Sequence, residues 1–158
     1  MPVVPYHAPP TLSINLPFME VEIYPSDRYA LAQPRGRVTG DVIVDYGRAM
    51  AYHKEWEPGF TEVWDITFSE SVDVLPTDIG RFKALEEETL ELLRGSRTIV
   101  IVDRPLIRMP VELYARLMRP LGRDIVPVKT REEAAAWCCI GGFYREHRAL
   151  TEPEYPEY

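Results

Sequence analysis

An unbroken run of β-branched residues is the feature that most constrains the fold. Residues Thr98–Val102 (TIVIV) follow one another between Arg97 and Asp103. A strand with one face in water alternates apolar and polar residues, whereas a continuous apolar run is typical of a strand covered on both faces. The run therefore predicts a central strand of a parallel sheet.

Strand and helix patterns alternate on both sides of this run. Further strands are predicted at 28–38, with a turn or bulge near Pro34 and Gly36, at 62–68 and at 124–129. Helices are predicted from 39, from 77 to 94, from 109 to 119 and from 130. Residues 69–76 are predicted to be a loop, and the second helix has a predicted solvated face of Glu86, Glu87, Glu88 and Glu91. Strands that alternate with helices favour the α/β class with a mostly parallel sheet.

The two ends of the chain differ from the part between them. Residues 1–25 hold six of the fifteen prolines, and apolar residues alternate with polar ones from Leu12 to Phe18. Residues 143–158 are polar, with prolines and tyrosines. We predict an extended N-terminal arm (1–25), a domain (26–142) and a C-terminal tail (143–158). Because extended segments can add to a sheet edge or lie in a groove, the candidate partner contacts are Leu12, Ile14, Leu16, Phe18, Tyr155 and Tyr158.

Composition narrows the class of protein. A chain of 158 residues with a net charge of −7 lacks the overall positive charge of a nucleic-acid binder. No apolar run approaches the roughly 20 residues that span a bilayer, and the first residues do not have the pattern of a secretion signal. The expected location is the cytoplasm, either free or at the periphery of a membrane complex.

Two aspartates lie at the ends of predicted strands. Asp65 and Asp103 are candidates for a reactive site because open α/β sheets bind ligands outside the carboxyl ends of their strands. A phosphoacceptor site would also need paired acids, a hydroxyl and a lysine, and that set is missing. We interpret both residues as structural, with Asp103 ending the strand and capping the turn into Arg104.

Other catalytic and metal-binding patterns are missing as well. The sequence has no glycine-rich nucleotide motif and no nucleophile elbow, and Ser69 and Ser71 lack an obvious catalytic partner. Cys138 and Cys139 are neighbours on a predicted helix and are interpreted as small apolar residues. The histidines are far apart in sequence. We therefore expect no catalytic residues, no metal and no cofactor.

Five arginines lie within a span of twenty residues of this acidic chain: Arg104, Arg108, Arg116, Arg119 and Arg123. Arg116, Arg119 and Arg123 have the spacing of one helical face. The arginines form either a solvated face paired with local acids such as Glu112, or a docking surface. The docking partner would be an acidic protein or the anionic headgroups of a membrane.

The order of elements and three local patterns resemble the STAS-like superfamily, named for sulfate transporters and anti-sigma-factor antagonists. The patterns are Glu62–Ile66 (EVWDI), Arg97–Val102 (RTIVIV) and Thr130–Trp137 (TREEAAAW), the last beginning with a capping box. The resemblance covers about residues 28–140. It implies a small α/β sandwich: a mixed sheet with helices on one side.

The resemblance also raises the question of phosphorylation. Anti-sigma-factor antagonists in this superfamily are switched by phosphorylation of a serine in an Asp-Ser-Ser-Gly motif at the start of a helix. The corresponding residues here are Val74–Gly80 (VLPTDIG), which lack the motif and offer only the hydroxyl of Thr77. We favour an N-cap role for Thr77 and keep it as the phosphorylation candidate.

Three functions therefore stay open on the sequence. The first is a non-catalytic interaction or structural subunit that docks into a larger assembly through its arms and arginines; self-association is also allowed. The second is a phospho-regulated partner-switching protein. The third is a small-molecule or lipid-binding domain, which an apolar pocket with a few convergent polar groups would support and a solid core would not.

Overall fold

The computed structural model describes the backbone of residues 12–16 and 19–138 and the side chains of residues 22–137. The described strands are β1 (Leu12–Leu16), β2 (Met19–Tyr24), β3 (Tyr29–Pro34), β4 (Gly36–Thr39), β5 (Thr61–Asp65), β6 (Ser69–Asp73), β7 (Arg97–Ile101) and β8 (Asp124–Val128). The helices are α1 (Gly40–Ala51), α2 (Asp78–Glu88), α3 (Pro105–Met118) and α4 (Arg131–Cys138).

Six of the described strands form a mixed sheet in the order β1-β2-β3-β5-β7-β8. The pairs from β3 to β8 are parallel, whereas β1, β2 and β3 are antiparallel neighbours. Ile99 and Ile101 of β7 are almost fully buried, and Val100 is 9% exposed. The prediction of a central parallel strand from the β-branched run is therefore confirmed.

The two faces of this sheet are covered differently. Side chains of β3, β5 and β7 alternate between the faces, as the pleat of a strand requires. Tyr46 of α1 packs with Ala30 and Ala32 on one face, and Ile107 of α3 packs with Val100 on the same face. Ala134 and Ala135 of α4 pack against the other face, with Leu31, Val63 and Ile99. The predicted arrangement, with helices on one side of the sheet, therefore holds for α1, α2 and α3. The short α4 covers the opposite side.

A second, two-stranded sheet lies outside the sequence prediction. β4 and β6 pair in parallel, and Arg37 Nε is 2.6 Å from Asp73 Oδ2 across them. The predicted loop at 69–76 is therefore wrong for residues 69–73. The strand predicted at 28–38 is two strands in different sheets, and they divide between Pro34 and Gly36, where the turn or bulge is predicted. Ser69, Glu70, Ser71 and Asp73 give β6 the composition of a loop; pairing with β4 decides its structure.

Helix ends agree with the sequence at some positions and differ at others. The Thr39 hydroxyl accepts a hydrogen bond from Val42 N at 3.4 Å, and Glu133 N donates to Thr130 Oγ1 at 3.1 Å, so both predicted starts are confirmed. Helix α2 ends at Glu88, six residues before the predicted end, and α3 begins at Pro105, before the predicted start at 109.

Strand β2 pairs with β3 along its whole length and therefore belongs to the main sheet. The division of the chain into arm, domain and tail stays a prediction. The predicted end of the last helix at 141–142 lies outside the described residues.

Candidate functional site

A cavity of about 510 Å³ lies between the sheet and helices α1, α2 and α3. Its sheet side includes Trp64 of β5, Val100 of β7 and Ile125 of β8. Its helical side includes Met50 of α1 and Phe82 of α2. Most of the lining is apolar, and the volume falls within the range of roughly 300–1,000 Å³ that is typical of ligand pockets.

The cavity opens to solvent between the start of α2 and the middle of α3. Leu75, Pro76 and Leu113 line it and are also exposed; Leu75 is 61% and Leu113 54% accessible. Large apolar side chains that are both exposed and part of a cavity wall mark a mouth through which an apolar molecule can enter.

One wall carries a connected polar cluster. Arg123 Nη2 is 3.2 Å from Glu62 Oε1 and donates to Thr98 Oγ1 at 2.6 Å, and Thr98 Oγ1 donates to Glu62 Oε1 at 2.9 Å. Arg123 Nε is 2.8 Å from Glu86 Oε2, an ion pair rather than an aligned hydrogen bond. Tyr114 OH donates to Glu86 Oε1 at 2.7 Å. The cavity thus combines an apolar body with a small set of oriented polar groups.

Burial controls the protonation of this cluster. Burial raises the pKa of the Glu86 carboxyl, and the nearby charge of Arg123 and the Tyr114 hydrogen bond offset this only in part. Burial and the Glu86 charge raise the pKa of the Tyr114 phenol, and burial and the Glu62 charge raise that of Tyr46. Both phenols therefore stay neutral near neutral pH.

The ring of Trp64 is fixed between the cavity and the cluster. Its Nε1 donates to Glu62 Oε2 at 3.3 Å, and its ring meets Tyr46 edge-on, with centroids 4.3 Å apart. Aromatic pairs in this geometry restrict each other. The cavity therefore has a defined aromatic surface on its sheet side, next to the charged groups.

The two strand-end aspartates lie in different surroundings. Asp65 is 1% exposed; its Oδ2 lies 3.0 Å from Arg131 Nε, and its Oδ1 accepts hydrogen bonds from the backbone N and the hydroxyl of Thr67. Asp103 is exposed, and its side chain is 3.7 Å from Arg104 Nε. Neither residue lines the cavity, and the contacts of Asp65 tie the turn after β5 to the start of α4.

Thr77 does not cap α2 with its side chain. It is exposed, its backbone is already helical (φ −67°, ψ −22°), and its hydroxyl makes no capping hydrogen bond. Asp78 Oδ2 instead accepts from Leu75 N at 2.8 Å. The N-cap role predicted for Thr77 is therefore wrong, because a capping residue needs an extended backbone to turn its oxygen back to the helix. Phosphorylation of Thr77 stays a prediction, which mass spectrometry of protein from cells tests.

The structure separates the five arginines. Helix α3 ends at Met118, and Gly122, at a φ of +82°, turns the chain so that Arg123 points into the interior, where it is 5% exposed. The predicted common helical face is therefore wrong for Arg123. Arg116 and Arg119 are exposed.

The remaining two arginines, Arg104 and Arg108, have hydrogen-bond partners within the protein. Arg108 Nε donates to Glu112 Oε1 at 2.9 Å, the local pairing that one of the two interpretations expected. Arg104 Nη2 donates to Ile66 O at 2.9 Å and to Ser69 Oγ at 2.8 Å. Docking through any of these arginines stays a prediction.

The partner contacts predicted in the arms are outside the described side chains. Leu12, Ile14 and Leu16 lie in β1, whose backbone pairs with β2. Phe18, Tyr155 and Tyr158 lie outside the described residues, as does Cys139. Their roles stay predictions.

Sequence reasoning missed Glu62, Glu86 and Tyr114. Glu86 belongs to a run of glutamates that was predicted to be solvated, yet it is 7% exposed, so that prediction is wrong for Glu86. Glu62 carried the one usable signal: a charged residue inside a strand next to the central one. Nothing in the sequence pairs it with Arg123, which lies 61 positions away.

Two further observations concern the described residues only. None of their helices combines the length and the apolar character that crossing a membrane requires. They contain no cluster of three or more His, Cys, Asp or Glu side chains suited to a metal ion.

The sheet order, the helices on its face and the closing α4 define the class as a STAS-like, SpoIIAA-like α/β fold, which the sequence resemblance predicted. An uncharacterised protein of the DUF3478 family with a SpoIIAA-like fold, from Shewanella loihica PV-4, matches with a TM-score of 0.50 and 16% identity, over 81% of this chain and 99% of that chain. The anti-sigma-factor antagonist SpoIIAA in its unphosphorylated form matches with a TM-score of 0.45 and 17% identity, over 78% of this chain and 98% of that chain. No protein-family model and no curated protein matches the chain.

Proposed function

We propose that this protein is a non-catalytic binding domain whose cavity takes a small, largely apolar ligand. The observation that carries the proposal is the 510 Å³ apolar cavity with a mouth at Leu75 and Leu113 and a polar cluster in its wall. A ligand that fills it moves apolar surface out of water, which is favourable by about 25 cal/mol for each Å² buried. The polar cluster gives such a ligand one end to orient.

Titration calorimetry with decanol, a linear apolar probe with one hydroxyl, tests the proposal. We expect saturable one-to-one binding to the full chain. The variant Val111→Phe places a larger side chain in the cavity wall and should weaken binding by at least about tenfold, since filling the space removes the ligand's contacts.

The matched control is Leu90→Phe. Leu90 is 41% exposed and does not line the cavity, so this variant should bind decanol as the native protein does. If both variants bind decanol with the affinity of the native protein, the probe lies outside the cavity and the proposal is contradicted. No binding by the native protein would contradict it as well.

A second candidate function, docking onto a protein partner, is favoured by the outer surface of α3. Four large apolar residues along one side of this helix are exposed: Leu106, Met109, Leu113 and Leu117, with Leu106 88% accessible. Arg116, in the last turn of α3, and Arg119, directly after the helix, are also exposed. Exposed apolar side chains flanked by arginines are typical of an interaction surface. We infer that this α3 surface, together with the arms, docks onto a partner whose contact surface carries acidic residues, within a larger assembly.

Reconstitution with the identified partner tests the α3 surface. The variant Leu106→Gln with Met109→Gln should weaken the affinity, and Arg116→Glu with Arg119→Glu should weaken it further at low salt, because like charges then face each other. Lys83→Gln, an exposed change on α2, is the control. Equal affinity of all variants would contradict the protein-docking assignment. Binding of the native protein to anionic vesicles without a protein partner would assign the surface to a membrane instead.

A further inference from the structure

The polar cluster of the cavity is unbalanced in charge. Two carboxyl groups, Glu62 and Glu86, share the single guanidinium of Arg123, and the side chains of all three are less than 10% exposed. Thr98 and Tyr114 contribute neutral hydroxyls. With both glutamates ionised the cluster carries one net negative charge in apolar surroundings, where charges interact more strongly than in water.

The same cluster has one unused donor group. An arginine has five N–H donors. Arg123 directs Nη2 to Glu62 and Thr98, and Nε lies beside Glu86, whereas Nη1 is buried without a hydrogen-bond partner. A buried donor without an acceptor is costly, so a ligand oxygen that displaces the wall atoms now covering Nη1 is stabilising there.

These two features set different requirements for the head group of a ligand, one for its hydrogen-bonding atoms and one for its charge. The free donor calls for an oxygen acceptor, while the excess carboxylate disfavours a second negative charge. A carboxylate head would satisfy Nη1 but would leave three carboxyl groups around one guanidinium. An ammonium head is attracted by the net negative charge, but it has no acceptor for Nη1 and meets the N–H groups of the guanidinium with like charge. A neutral alcohol, ketone or ester satisfies the donor and adds no charge.

We propose that the cavity selects an uncharged amphiphile with an oxygen-bearing head and excludes fatty-acid anions, because Arg123 lies between Glu62 and Glu86 in the cavity wall. This inference rests on the proposed ligand-binding function. It adds the chemical class of the ligand and the residues that set it.

Three probes of equal chain length test the selectivity at neutral pH: decanol, decanoate and decylammonium. We expect decanol to bind at least about tenfold more tightly than either ion in calorimetric titrations of the full chain. Trp64 lines the cavity, so a change in its fluorescence in variants that lack Trp56 and Trp137 reports whether the probe reaches this site.

The variant Glu86→Gln tests the cause of the selectivity. Glutamine has nearly the size of glutamate and keeps an acceptor for Tyr114, but removes the excess charge. Decanoate should gain at least about tenfold in affinity relative to decanol. Glu87→Gln makes the same change one residue along α2, at an exposed position, and should leave the ratio unchanged.

The outcomes separate the two levels of the proposal. If no probe binds, the ligand-binding function itself is wrong. If decanoate binds the native protein as tightly as decanol, or if decylammonium binds more tightly, the cavity binds ligands but the assigned class is wrong. If Glu86→Gln and Glu87→Gln change the ratio of the decanoate and decanol affinities equally, the polar cluster is not the cause of the selectivity.

Discussion

Asp65 and Asp103 show how much the surroundings of a side chain decide its role. Both follow strands of the parallel sheet, where a reactive carboxylate is a reasonable expectation. Asp65 is enclosed by Thr67 and Arg131, whereas Asp103 has a 54% exposed side chain. The enclosed aspartate therefore contributes to stability through fixed partners, while the exposed one is solvated.

Replacing each aspartate by alanine measures this difference. Asp65→Ala leaves the largely buried Arg131 guanidinium and the Thr67 N–H without their acceptor, so we expect a loss of about 3 kcal/mol in the free energy of unfolding. Asp103→Ala should change it by less than about 0.5 kcal/mol. Urea denaturation of both variants gives the comparison, and equal losses would show that burial of Asp65 carries no stability.

Glu86 gives the cavity wall a pH dependence with a defined sign. Its pKa in the folded protein is raised above the ordinary value of 4.5, so the folded state holds this proton to higher pH than the unfolded state does. A group of this kind contributes stability at low pH that is lost as the pH rises through the folded pKa.

Glu86→Gln should remove this contribution. As the pH rises above 4.5, the free energy of unfolding of the native protein should fall relative to that of the variant, until Glu86 is ionised in the folded state. The other titrating groups are common to both proteins and cancel in the difference. Guanidinium denaturation at several pH values measures the difference in the free energy of unfolding. If this free energy changes with pH in the same way in both proteins, the pKa of Glu86 is not raised in the folded state.

At the scale of elements, α1 and α2 begin side by side but are capped differently. A Cβ atom at Gly40 would overlap the carboxylate of Asp78, so only glycine allows the two helix starts to lie this close. Thr39 caps α1 with its hydroxyl, whereas Asp78 takes over that task for the turn before α2.

Two threonine substitutions separate the caps. Thr39→Ala should lower the free energy of unfolding by about 1 kcal/mol, because Val42 N loses its acceptor. Thr77→Ala should leave it within about 0.5 kcal/mol, since the Thr77 hydroxyl makes no capping bond. Thermal and urea denaturation check both values. A larger loss for Thr77→Ala than for Thr39→Ala would contradict the assigned caps.

The same scale shows which elements can be predicted from sequence. The β-branched run predicts β7, and the capping box predicts the start of α4. Both are local patterns of the sequence, and the structure contains both elements. Strand β6 has mostly polar residues and exists because β4 offers it a partner, so local pattern indicated a loop. Tertiary pairing overrides weak local preference in such segments.

At the scale of the whole molecule, the cavity is a property of assembly. Its wall combines residues from Val38 to Ile125, from strands and helices that are far apart in the chain. Hydrophobic pattern predicts which residues avoid water, but not whether they fill the space between sheet and helices. The cluster of Glu62, Glu86 and Arg123 was beyond sequence reasoning for the same reason, because each charge is buried only in the company of the other two.

A crystal structure of the full chain grown with saturating decanol tests the central claim most directly. The account predicts density for the decanol chain between the sheet and α1, α2 and α3, in contact with Trp64 and Val111, with its hydroxyl beside Arg123. Density for decanol only on the outer surface, with side chains of the wall closed over the empty space, would contradict it.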